Sequence, residues 1–155
     1  MKPLILISTV FLFSCQNTSN ILPEADFDFV EEYHCYPYDV KVYAVDNVKI
    51  DSQFYSYPLK QYFRSNDKYD VSTWESYADF DTSVSYGMDS TLKHCDDGHS
   101  LFDQIMNNAD VYYAGCFELS QGRNGVKKRS YEKILFLDLT HKKVYIMKYF
   151  HAYTY

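Results

Sequence analysis

The chain is short of the residues that break a fold. Its 155 residues hold 5 Gly and 4 Pro, too few for a collagen-like or low-complexity chain. No apolar run reaches the roughly 20 residues that a membrane-spanning helix needs. Residues 4–13 (LILISTVFLF) form a ten-residue run whose helix would extend about 15 Å, half of a roughly 30 Å hydrocarbon core. The familiar chemical frames are missing as well. Neither CxxC nor HExxH occurs, so the common zinc spacings are not met. There is no GxGxxG, no Walker A loop and no G-x-S-x-G. Positive charge is scarce: 15 Lys and Arg face 21 Asp and Glu, a net of -6. A small acidic protein gains no electrostatic attraction to nucleic acid or to anionic lipid, which argues against a nucleic-acid partner.

What the chain has is tyrosine and an uneven distribution of charge. It carries 17 Tyr and 11 Phe but one Trp. Tyr buries area while keeping a polar tip, so it suits half-buried strands and wet binding faces. Residues 15–110 carry 18 acidic and 6 basic side chains, a net of -12, and residues 111–155 carry 3 and 8, a net of +5. Either the two parts neutralise each other on packing, or the acidic part captures a basic partner.

The N-terminus reads as a processed leader. Lys2 supplies a positive start, residues 4–13 an h-region, and residues 16–20 (QNTSN) a polar tether. Leu12, Ser14 and Cys15 fall where the lipobox of bacterial lipoprotein precursors has its leucine, small residue and cysteine, and residues 1–15 resemble that class. Phe13 departs from the pattern, since a small or β-branched residue is commoner there. The resemblance implies a signal peptide over 1–14, a diacylglyceryl group on the Cys15 thiol, and cleavage before it. Several acyl chains would then hold the protein to the membrane. Gln16 in place of Asp would imply retention in the outer membrane, facing the periplasm, if the resemblance extends to enterobacterial lipoproteins.

Residues 15–36 read as lipidated Cys and tether, and 37–155 as one small domain. Residues 38–45 (YDVKVYAV) alternate as a strand does, with Asp46-Asn47 as a turn and 48–51 as a returning arm. Leu59, Tyr62 and Phe63 share a face of a short helix beginning near Pro58. Ser72 and Glu75 have the spacing of a capping box, so another short helix is expected. Residues 79–97 read as loop. The pairs Leu101/Ile105 and Phe102/Met106 give a helix over 100–108. Strands at 111–119, 133–139 and 143–150, with a loop at 121–125, form a three-stranded antiparallel meander carrying that helix on one face. The expected class is α+β, with short helices packed on one face.

Candidate chemistry is sparse. His94, Cys95, Asp96, Asp97 and His99 crowd seven residues, and His34-Cys35 is a second pair. Zinc could be met there, and a metal-dependent enzyme using His94, Cys95 and His99 is one hypothesis. The spacing fits no standard ligand pattern, and Asp96-Asp97-Gly98 with Ser100 is equally turn and helix-start chemistry. No metal or other cofactor is therefore assigned, and no catalytic residue. With Cys15 lipidated, three cysteines remain, which permit one internal disulfide and leave one thiol. Cys116 lies mid-strand between Gly115 and Phe117, a core position, so the expected pair is Cys35–Cys95. Glu31/Glu32 and Asp79/Asp81 read as solvated carboxylates, and Lys127-Lys128-Arg129 as a solubilising loop. Tyr112, Tyr113, Tyr145, Tyr149, Tyr153 and Tyr155 could form a platform for a glycan or protein, or alternate between core and surface.

The sequence leads to a lipid-anchored envelope protein with a non-enzymatic binding or accessory role and a protein or glycan partner. The alternative is an inhibitor or immunity-type protein that meets a basic effector through its acidic N-terminal part.

Overall fold

The near-continuous apolar run at residues 133–139 is what a strand buried on both faces requires, and the fold is built around it. The computed structural model describes residues 21–22, 24–35, 38–63, 69–80, 105, 110–121, 125 and 127–149. Its strands are β1 (Asp26–Cys35), β2 (Tyr38–Asp46), β3 (Asp70–Val71), β4 (Glu75–Ser76), β5 (Val111–Gln121), β6 (Lys127–Asp138) and β7 (Lys143–Tyr149). All pairings are antiparallel, in the spatial order β1-β2-β7-β6-β5-β3, with β4 also on β5.

Alternate residues feed two cores. Ile134, Phe136, Tyr145, Met147, Val40 and Val42 face one side, where Phe80 and Ile105 cover them. Leu135, Leu137, Val144, Ile146, Tyr43 and Val45 face the other, under Trp74, Phe54 and Leu59. The two sides are termed the Phe80 face and the Trp74 face.

The expectation of an α+β domain with helices on one face is overturned, because sheet dominates the described structure. The helices α1 (Ser52–Ser56) and α2 (Lys60–Phe63) have five and four residues. Aromatic side chains, from short helical turns and loops alike, do much of the covering: Phe54 of α1 stacks on Trp74 at 5.5 Å, and Phe80 meets Tyr113 at 4.7 Å. Aromatic side chains each bury a large area, so a few seal a sheet face without a long helix. Of the expected helix over 100–108, only Ile105 is among the described residues, where it is helical and buried.

The C-terminal meander forms as β5, β6 and β7. Gly125, in the expected loop, takes φ 74, open to glycine at no steric cost. The β6–β7 turn is locked by Asp138, whose buried carboxylate accepts from the His141 backbone N–H at 3.0 Å and pairs with its Nδ1 at 2.7 Å. The helix near Pro58 forms as α2, with Leu59 and Phe63 buried.

Two local expectations fail for tertiary reasons. Residues 48–51 do not return along β2, because β1 and β7 already flank it. Asp51 instead caps α1, accepting from the Gln53 and Phe54 backbone N–H groups at 2.8 and 3.2 Å. Ser72 starts no helix. Its hydroxyl accepts from Gly115 N–H at 2.9 Å, and its own N–H donates to the Gly115 carbonyl at 2.9 Å. Bonding to β5 consumes the capping capacity, and Glu75 and Ser76 pair as β4. A 3-10 turn, Tyr77–Asp79, follows.

Part of the stretch that composition gives to tether and lead-in is structured. Residues 26–35 are β1, and Ile21 and Leu22 are buried on the Trp74 face. The Trp74 indole N–H donates to the Ile21 carbonyl at 3.1 Å, satisfying a buried donor and fixing the chain entry.

Candidate functional site

The two edges of the sheet differ sharply. The outer side of β5 carries β3 and β4, opposite Cys116–Phe117 and Tyr112–Tyr113. At the opposite edge, β1 is ten residues long and pairs, among the described residues, with β2 alone. A long edge strand presents unpaired backbone groups and is a natural template for another chain.

The register of β1 sorts its side chains. Directly opposed residues of paired strands share a face. Phe27 and Phe29 lie opposite Val45 and Tyr43, so both belong to the Trp74 face. Phe29 meets Tyr43 edge-on at 5.6 Å. The register then shifts between Phe29 and Glu31, with Val30 the extra residue of a bulge. After it, Glu31 and Tyr33 lie opposite Val42 and Val40, on the Phe80 face. Asp26 and Asp28, opposite Asp46 and Ala44, share that face. Glu32 and His34 fall on the other.

The strand therefore carries three carboxylates along one face and two phenylalanines along the other. It holds four acidic residues and no Lys or Arg. Glu32 reaches Lys41 at 3.5 Å, and Asp26 accepts from the Asn47 amide at 2.9 Å. Asp28 and Glu31 are exposed and have no ion pair among the described residues. His34 pairs with Asp39, and that hydrogen bond, with the carboxylate's charge, raises its pKa above the usual 6.5. Phe29 and Val30 are 58% and 47% exposed, two of the four large apolar side chains standing out among the described residues. Adjacent exposed apolar groups framed by charge are the composition of a contact patch.

A concavity of about 270 Å³ lies where β2 ends beside the β6–β7 turn, lined by Val45, Asp46, Asn47, Val48, Leu139 and Lys142. Its charges are satisfied internally: Lys142 pairs with Asp46 at 3.0 Å, and Lys49 with Glu24 nearby at 3.3 Å. Asn47 and Lys142 both hold left-handed backbone, φ 61 and 51. These contacts close the end of the sheet and leave little charge to offer a ligand.

Several residues singled out from the sequence lie outside the described residues: Cys15, His94, Cys95 and His99. Cys35 ends β1, and its side chain is likewise outside them. Cys116 is buried and free, in the core position its neighbours imply, and burial pushes its thiol up to about 11. No group of three His, Cys, Asp or Glu able to hold a metal occurs among the described residues. Arg129 packs over the Phe117 ring at 4.6 Å and lies 3.7 Å from Glu75, so it is a structural part of β6 and not loop charge. Tyr113 and Tyr145 are buried on the Phe80 face, and Tyr112 is half-buried on the other. That alternation breaks up the continuous Tyr platform a glycan would need. No helix among the described residues is long and apolar enough to cross a membrane.

Phe29, Val30 and Asp28 are not among the candidates the sequence yields, although Asp26-Phe27-Asp28-Phe29 alternates strictly. The bulge ends that alternation after four residues, and Asp is uncommon in strands. Set against protein-family models, curated proteins and solved structures, the chain matches none.

Proposed function

We propose that this chain is a binding protein of the bacterial envelope, held to the membrane through lipidated Cys15, with β1 as its contact strand and a basic protein as its partner. The observation that carries the reading is the ten-residue acidic edge strand, paired among the described residues with β2 alone, with Phe29 and Val30 exposed at its centre. The role is binding and not catalysis. Charges on an exposed edge steer a partner of opposite sign, and the apolar pair supplies the contact that outlasts the encounter. This favours the basic partner over the glycan, since the tyrosines that would stack a sugar are divided between the two cores.

Two measurements test the reading. Labelling of the expressed protein with a palmitate analogue should be lost in Cys15→Ala; equal labelling of both removes the anchor. The purified protein should be retained on an oligolysine surface and not on oligoglutamate, releasing as salt rises from about 50 to about 300 mM. Asp28→Asn with Glu31→Gln should abolish that retention. Undiminished retention of the double variant would place the basic contact elsewhere on the chain.

A further inference from the structure

The two-faced chemistry of β1 also specifies what the partner must look like. Resting on the reading above, we infer that the partner contributes an extended segment of alternating basic and apolar residues, which adds to β1 as the next strand of the sheet.

Backbone pairing is available over residues 26–32, where β1 uses one edge for β2 and, among the described residues, has no strand on the other. In any strand laid along that edge, successive side chains fall on opposite faces of the sheet. One set meets Asp26, Asp28 and Glu31; the other meets Phe27 and Phe29. Lysines or arginines at alternate positions satisfy the first set, and apolar residues between them extend the Trp74 face over Phe29. A one-residue slip would bring lysines onto phenylalanines and apolar groups onto carboxylates, so the charges also fix the register. The bulge at Val30 twists the strand locally and divides the edge into two short pairing runs, which favours a short segment.

A second copy of the chain is the natural competitor for any open edge. Pairing β1 with β1 would bring eight carboxylates together and no Lys or Arg, four from each copy. Like charges directly opposite are destabilising, so the charges that keep copies apart select a basic segment. The basic run Lys127 to Arg129 of this chain is consecutive and does not alternate with apolar residues, so it does not fit the segment inferred.

The test uses the purified full chain and four short peptides. One alternates lysine and valine, one has the same composition in blocks, and two are alternating peptides N-methylated at every second residue, on the odd or the even set. Strand addition predicts that the alternating peptide binds at least about tenfold more tightly than the blocked one. It further predicts that the two methylated peptides differ by at least about tenfold, because only one set of N–H groups faces β1. Asp28→Lys with Glu31→Lys should shift preference to a glutamate–valine peptide. Equal binding of all four lysine peptides would overturn strand addition while leaving an acidic contact face intact. Failure of every lysine peptide to bind would remove the face as well.

Discussion

Replacing Gly115 by alanine puts a methyl group where the Tyr131 ring lies. A Cβ built there would sit 2.3 Å from Tyr131 Cε1 and 2.4 Å from Cδ1, against ordinary contacts beyond 3.4 Å, so the ring must retreat by about 1 Å. It has little room. Tyr131 is buried, tilted against Phe117 at 5.4 Å and Phe80 at 6.0 Å. Overpacking of this kind costs about 1–3 kcal/mol. Alanine recovers about 0.4–1 kcal/mol by restricting the unfolded chain, since Gly115 has no left-handed φ that a side chain would strain. The expected net loss is about 1–2 kcal/mol, or a fall of about 1 M in the urea midpoint for an m-value of 1–2 kcal/mol/M. The single Trp of the chain, buried and stacked on Phe54, reports unfolding by fluorescence. The cause is isolated by a double-mutant cycle with Tyr131→Ala. Removing the ring makes space for the methyl group, so the pair should be less destabilised than the summed singles by about 1 kcal/mol or more. An unchanged midpoint for Gly115→Ala, or strict additivity in the cycle, would refute the reasoning.

Other outcomes follow from single contacts. Ile21→Ala should cost about 2–5 kcal/mol, because the side chain is fully buried under Trp74; a loss below 1 kcal/mol in urea unfolding would mean that the lead-in is not docked. Lys142→Gly should be neutral or stabilising by up to about 1 kcal/mol, since relief of φ 51 outweighs an exposed ion pair with Asp46, and a large loss in thermal unfolding would contradict this. His34 should titrate above 6.5 by NMR and fall back in Asp39→Asn. Its raised folded value means that the stabilisation is complete below 6.5 and is lost as pH rises through the folded pKa, so no response to Asp39→Asn would disprove the pairing. Burial pushes Tyr145 up to about 12, so the folded state holds a proton that the unfolded chain releases near 10, and stability should fall as pH rises from 10 towards 12. Tyr145→Phe should reduce that slope, to which other buried tyrosines also contribute, in pH-dependent urea unfolding without loss at neutral pH, because the hydroxyl has no hydrogen-bond partner among the described residues.

How far the fold is legible in the sequence depends on where a strand's signal comes from. β6 and β7 announce themselves by apolar, β-branched runs, because burial on both faces demands that composition, and β2 by its alternation. β1 is hidden because its outer strand position tolerates aspartate and its bulge resets the period at Val30. Ser72 misleads for a different reason: a capping serine and a serine that braces a glycine on a neighbouring strand are the same residue, and only the packing distinguishes them. The acidic bias of the first part of the chain is visible from charge counting alone. That four of those acidic residues line an edge strand paired, among the described residues, with β2 alone, with two phenylalanines on one of its faces, requires the register.

The burial of Ile21 and Leu22 has a consequence for geometry at the membrane. If Cys15 bears the lipid, as proposed, six Cα–Cα steps separate the anchor from the core. Fully extended they would span about 20 Å, so the body could not drift far from the bilayer surface. Such a protein behaves as a fitting moored at short range and not as a bait on a long line. Since β1 begins four residues after Leu22, the start of its acidic edge would be held near the bilayer too. On that reading a segment reaching it would approach along the membrane surface, and proximity to the same bilayer would be part of how a partner is chosen.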